Sequence, residues 1–106
     1  MIIPGLTAQD SSMIIRVFSD CEEVDQAILY GSRANGNFKP GSDIDITLVG
    51  QDLTLQILND LTAIFAELPV PYTLDISIHR QINNPALLDH IGRIGIPLYI
   101  KNQQTQ

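Results

Sequence analysis

Residues Asp43 to Val49 constrain this chain more than any other stretch, because they alternate acidic or polar side chains with apolar ones. A β-strand places residues two apart on the same face. Ile44, Ile46 and Leu48 then point into a core, and Asp43 and Asp45 stand together on the opposite face. Two neighbouring carboxylates repel, which is poor for stability unless a cation neutralises them. Hard oxygen ligands at this spacing suit Mg²⁺, which takes one or two carboxylates plus substrate phosphates.

Tyr72 to His79 alternates in the same way, with Leu74, Ile76 and Ile78 on one face and Asp75, Ser77 and His79 on the other. If this strand lies beside the first, Asp43, Asp45 and Asp75 converge on one patch. Two metal ions held there would stabilise both the attacking and the leaving oxygen of a phosphoryl transfer. Asp75 is also placed to take a proton from an acceptor hydroxyl.

Upstream, Gln26 to Tyr30 reads as a short buried strand that ends at Gly31. Glycine lets a backbone approach a phosphate closely. The N–H groups that follow, and the Ser32 hydroxyl, can donate to phosphate oxygens. Arg33 adds positive charge nearby, unless its side chain points away from the site.

The remaining elements follow from period and punctuation. Thr7 caps a helix over Ala8 to Phe18. Arg33 to Gly36 forms a helical turn, and Asn37 to Ser42 is a loop. Leu55, Leu58, Leu61, Ile64, Phe65 and Leu68 repeat at helical spacing, so Asp52 to Leu68 is a helix whose stripe faces the core. Pro69 and Pro71 stop it. Asn84 caps a short helix through Ile91, with Pro85 at its first position, and Leu98 to Ile100 adds a last strand. The expected architecture is α+β, a mixed β-sheet packed with helices. It occupies residues 1–100 as one domain, followed by a polar tail over 101–106.

Composition narrows the partners. Six basic residues against twelve acidic ones give a net charge of -6, and the basic residues form no run. A nucleic-acid binder needs a basic patch to neutralise phosphates, so no nucleic-acid substrate is expected. Cys21 is a single thiol, which rules out an intrachain disulfide. Met1 to Gly5 has neither a basic region nor a long apolar stretch, so no signal peptide and no membrane span are expected. The expected location is the cytoplasm. Among other polar side chains, His79 reads as a surface residue, His90 as structural, and Tyr30 as packing. Tyr72 and Tyr99 carry no signal of their own.

Gly31-Ser32-Arg33-Ala34-Asn35-Gly36, followed by Gly41-Ser42-Asp43-Ile44-Asp45-Ile46, closely resembles the signature of the DNA polymerase β-like nucleotidyltransferase superfamily. That signature is Gly-Ser, ten residues, Asp-x-Asp, and a third acid on a later strand. Within the superfamily the chain looks like the minimal nucleotidyltransferase (MNT) group, whose members commonly act as antitoxins paired with a HEPN-domain toxin. The resemblance implies a polymerase β-like palm fold. It implies that Asp43, Asp45 and Asp75 are catalytic and bind two Mg²⁺ ions, and that Gly31, Ser32 and Arg33 hold the triphosphate of ATP. Many minimal members have a second arginine where this chain has Asn35, which leaves triphosphate binding to Arg33, the backbone and metal.

Only about half of the chain follows Gly50, too little for a separate acceptor domain. The acceptor then sits in an open cleft or is a docking protein, and the acidic balance favours a protein. Three functions follow. The first is an antitoxin that transfers AMP from ATP to a hydroxyl, a tyrosine being the expected one, on a HEPN toxin. The second is a small-molecule nucleotidyltransferase working with a separate helical subunit. The third is an antitoxin that acts by binding alone. Three crowded carboxylates favour the first over the third, since a pure binder has no use for them. Homo- and hetero-oligomers are both open.

Overall fold

The computed structural model describes residues 1–102. Its elements are α1 (Ala8–Ser19), β1 (Gln26–Tyr30), α2 (Gly31–Asn35), β2 (Ile44–Val49), α3 (Leu55–Glu67), β3 (Leu74–Ile78), a 3₁₀ turn (His79–Gln81), α4 (Pro85–Ile94) and β4 (Ile96–Ile100). The four strands form one sheet in the order β3-β2-β1-β4. β1 runs antiparallel to β2 and β4, and β2 runs parallel to β3. The sheet is mixed and the fold is α+β, as the alternation of patterns required. From residue 103 onward, the expected polar tail lies outside the described residues. Lys101 turns back on the body of the chain, its amide donating to Asp25 O and its ammonium to Glu22 O.

One face of the sheet is the core. Ala27 and Leu29 of β1 and Ile44, Ile46 and Leu48 of β2 are fully buried there, together with Ile14 and Phe18 of α1 and Leu61 and Phe65 of α3. The Phe18 and Phe65 rings meet at 5.1 Å and 54°, the tilted arrangement aromatic pairs favour. Both helices start at side-chain caps: Thr7 accepts from Asp10 N–H, and Thr54 from Ile57 N–H. Burying a Leu, Ile or Phe side chain of this kind stabilises by about 1.5–3 kcal/mol, so this face holds most of what keeps the chain folded.

Several boundaries differ from the sequence expectation. α3 begins at Leu55, because Thr54 rather than Asp52 supplies the cap. Its stripe is only partly core: Leu61 and Phe65 are buried, whereas Leu55 is 60% exposed and Ile64 47%. Leu55 sits at the first helical position. Asp43 precedes β2 instead of opening it. β3 stops at Ile78, so His79 leaves the strand face it was expected to share with Asp75. α4 runs on to Ile94, and β4 starts at Ile96. Pro97 is tolerated inside β4 because this is an edge strand, and the β1–β4 register shifts between Ala27 and Ile28.

Candidate active site

The opposite face of the sheet carries the polar residues. Asp45 of β2 pairs in register with Asp75 of β3, and Tyr30 of β1 pairs with Asp45. Directly paired residues share a face, so Tyr30, Asp45 and Asp75 form a row across three strands. One step along, the Ser77 hydroxyl donates to Thr47 Oγ1 at 3.0 Å, which ties β2 to β3 beneath the acids. Asp75 is exposed and Asp45 half-buried. Burial holds the Asp45 carboxyl above its ordinary range, and the charges of Asp75 and then Asp43 raise it further. Burial also raises the Tyr30 phenol, as do the charges of Asp45 and Asp75, partly offset by the nearby Ser77 hydroxyl.

Asp43 is exposed, two residues upstream of Asp45, in the approach to β2. Its charge reaches Asp45. Among the described residues, however, no three His, Cys, Asp or Glu side chains close around a single point in the manner of a metal site. The structure therefore brings Asp45 and Asp75 together and leaves Asp43 at their border. The donor set fits a hard divalent cation. It is all carboxylate, and Asp45 is held where a positive charge would relieve both its burial and its two like-charged neighbours.

Gly31 opens α2 with φ +76°, and a Cβ on it would overlap the Asp45 carboxylate. Glycine is favoured here, because φ +76° strains any other residue and a Cβ would displace the Asp45 carboxylate. The first-turn amides of α2 have no carbonyl partner within the helix, and Ser32 is the second residue of that turn. Gly31 N–H donates to Nε2 of His90, at 3.0 Å across 59 residues of sequence. Sequence reasoning took His90 as structural and missed this contact; no spacing signal pairs α4 with the β1–α2 turn. The His90 ring also meets Tyr30 edge-on at 6.3 Å.

Arg33 does turn away from this face. It is 2% exposed. Its guanidinium donates to Pro4 O at 2.8 Å and, through Nη2 and Nε, to Ser42 O at 2.8 and 3.3 Å. The Phe38 and Tyr72 rings lie 5.0 and 5.4 Å from its Cζ. Gly5 makes room for it, since a Cβ there would crowd Nη1. The expectation that Arg33 lends its charge to a triphosphate is not met by this placement. The charge is spent on two backbone carbonyls and two aromatic faces, and its effect is to anchor the loop that delivers Asp43. Asn35 is exposed at the end of α2, before the left-handed Gly36.

A mixed sheet with carboxylates on adjacent strands, beside a glycine–serine turn at a helix start, defines a nucleotidyltransferase palm. The chain belongs to the family described as polymerase beta, nucleotidyltransferase, whose model matches residues 12–104. Among curated proteins, none matches at the level of sequence. Solved structures share the fold. A toxin–antitoxin crystal structure with AMP-PNP superposes with a TM-score of 0.70 at 23% identity, covering 89% of this chain and 76% of that one. The MntA–HepT toxin–antitoxin structure gives 0.66 at 20%, covering 92% and 75%. A tri-AMPylated Shewanella oneidensis HEPN toxin in complex with its MNT antitoxin gives 0.57 at 17%, again covering 92% and 75%. No helix among the described residues is long and apolar enough to cross a membrane.

Proposed function

We propose that this chain is an MNT-type antitoxin that transfers AMP from ATP to a tyrosine hydroxyl of a HEPN-domain toxin, in a Mg²⁺-dependent reaction. The observation that carries this reading is the in-register pairing of Asp45 with Asp75 next to Gly31 and Ser32. Several structural neighbours support the partner: the three described above are toxin–antitoxin complexes, one with AMP-PNP and one with an AMPylated toxin.

Asp45, Asp75 and Asp43 are the groups that would hold Mg²⁺, which when bound neutralises charge on the phosphates and on the leaving group. Ser32 and the α2 amides that follow Gly31 receive the phosphate chain, with Gly31 leaving room for the Asp45 carboxylate beside the turn. Asp75, the most exposed member of the pair, faces the acceptor and takes the proton from its hydroxyl. The hydroxyl oxygen bonds to the α-phosphorus, the bond from that phosphorus to the bridging oxygen breaks, and pyrophosphate leaves. Arg33 acts by fixing Ser42, and with it the approach of Asp43.

A protein acceptor also agrees with how the cations are used. Arg16 and Arg93 face carboxylates, while Arg33, Arg80 and Lys101 donate to backbone carbonyls. That leaves little positive charge for a nucleic-acid backbone. The test is incubation with Mg²⁺, the partner toxin and ATP labelled at either the α- or the γ-phosphate. The α label should pass to the toxin and the γ label should not. Absence of α label from the toxin, with the two proteins shown to associate, would sink the catalytic reading in favour of binding alone.

A further inference from the structure

We infer that His90 is a positioning residue for nucleotide binding, acting through the Gly31 amide; this rests on the function proposed above. Three observations meet at one point. Gly31 is the position over which the Asp45 carboxylate lies, so closely that a Cβ would overlap it. The Gly31 N–H donates to His90 Nε2 at 3.0 Å. His90 comes from α4, which packs on β1 and α2, so the imidazole is brought to the turn by a helix distant in sequence.

The chemistry assigns the imidazole a definite form. Nε2 accepts a hydrogen bond, so the neutral ring carries its proton on Nδ1. The acceptor satisfies one of the first-turn amides that helix geometry leaves unpaired. It also sets how the turn is oriented: with the Gly31 N–H directed at α4, the Ser32 end of the turn is the part presented to a phosphate. His90 thus aligns the turn and the acid pair without touching the nucleotide. Outer partners that orient a binding group in this way typically matter for affinity as well as for rate.

The test compares His90→Leu, which removes the acceptor, with His90→Gln, whose side-chain oxygen can replace Nε2. His90 is half-buried and lies outside the main core, so both variants should unfold close to the wild-type midpoint. Calorimetric titration with Mg²⁺ and AMP-PNP gives the readout. His90→Leu should bind roughly 10- to 100-fold more weakly, and His90→Gln should recover most of that loss. In amide exchange measured without nucleotide, Gly31 should be protected in the wild type and in His90→Gln, and exposed in His90→Leu. Wild-type affinity in His90→Leu would overturn the inference. So would equal weakening in both variants, which would mean that ring packing matters and the acceptor does not. If His90→Leu does not fold, His90→Gln decides alone, and weak binding by it counts against the inference. A wild-type chain that binds no nucleotide would instead overturn the proposed function itself.

Discussion

Asp45 and Asp75 stand directly opposite each other on two adjacent parallel strands, in register. Their nearest equivalents one step along the strands, Thr47 and Ser77, are joined by a hydrogen bond. The sheet thus offers hydroxyl-to-hydroxyl pairing at one level and carboxylate-to-carboxylate repulsion at the next. The second is a cost to folding, and its consequences can be measured.

Asp45 carries the pH consequence. Burial, then Asp75 and Asp43, raise its carboxyl above the ordinary value near 3.8. A group raised on folding contributes stability that is fully present below its unfolded pKa and lost as pH rises through the folded one. In chelator-treated protein, the Asp45 contribution should therefore fall as pH rises through the acid range. Asp45→Asn should flatten that dependence, as read by denaturant unfolding at several pH values. At neutral pH, Mg²⁺ should stabilise the wild type by about 2.7 kcal/mol at a hundredfold excess over its Kd, and the Asn variant by much less. Equal stabilisation of both would remove Asp45 from the cation site.

Gly31→Ala tests the contact with that carboxylate. A side chain there meets Asp45 and must adopt φ +76°. The expected loss is about 1–2 kcal/mol of stability from the backbone alone. Transfer should fall on the order of 10²-fold from the displaced acid. Near wild-type transfer would show that the turn and the acid are not coupled.

Arg33→Met separates two roles. A residue that clamps phosphate would weaken ATP binding and spare the fold. The buried contacts with Pro4 O and Ser42 O predict the reverse order of effects, a loss of about 2–3 kcal/mol in stability with transfer reduced in consequence. Arg33→Lys should not rescue it, because an ammonium lacks the planar fork that reaches both carbonyls. Unchanged thermal unfolding in Arg33→Met would return the residue to the phosphate.

Thr54→Ala serves as a contrast on the other side of the sheet. It removes the cap at Ile57 N–H and should cost about 1 kcal/mol. The transfer rate of the folded protein should be unchanged. A specific loss of rate would mean that α3 reaches the site.

Much of the site was legible because its signals are local. Period-two alternation put Asp45 and Asp75 on the faces they occupy, and Gly31 announced the turn. The sequence could not say that β3 lies beside β2, since parallel pairing has no local signature; the structure supplies that. Two side chains escaped for the same reason. Arg33 sits within the motif, yet the carbonyl of Pro4 that captures it lies 29 residues away. His90 sits on a helix whose docking against α2 is a tertiary fact. Asp43 was placed in the strand by alternation, but Ser42 is held by Arg33 and the ladder starts only at Ile44. Period along α3 reports which residues share a face, and not how far the sheet extends beneath them, so Leu55 and Ile64 share the stripe yet stay exposed.

The proposed function has the Asp43, Asp45 and Asp75 carboxylates perform transfer and not merely accompany binding. It is tested most directly by toxin neutralisation with the Asp43→Asn plus Asp45→Asn double variant, with ATP and Mg²⁺ present and association of the two proteins monitored in parallel. The variant should still bind the toxin, leave it unlabelled and fail to neutralise it. Neutralisation equal to wild type by a variant that transfers no AMP would contradict the proposed function.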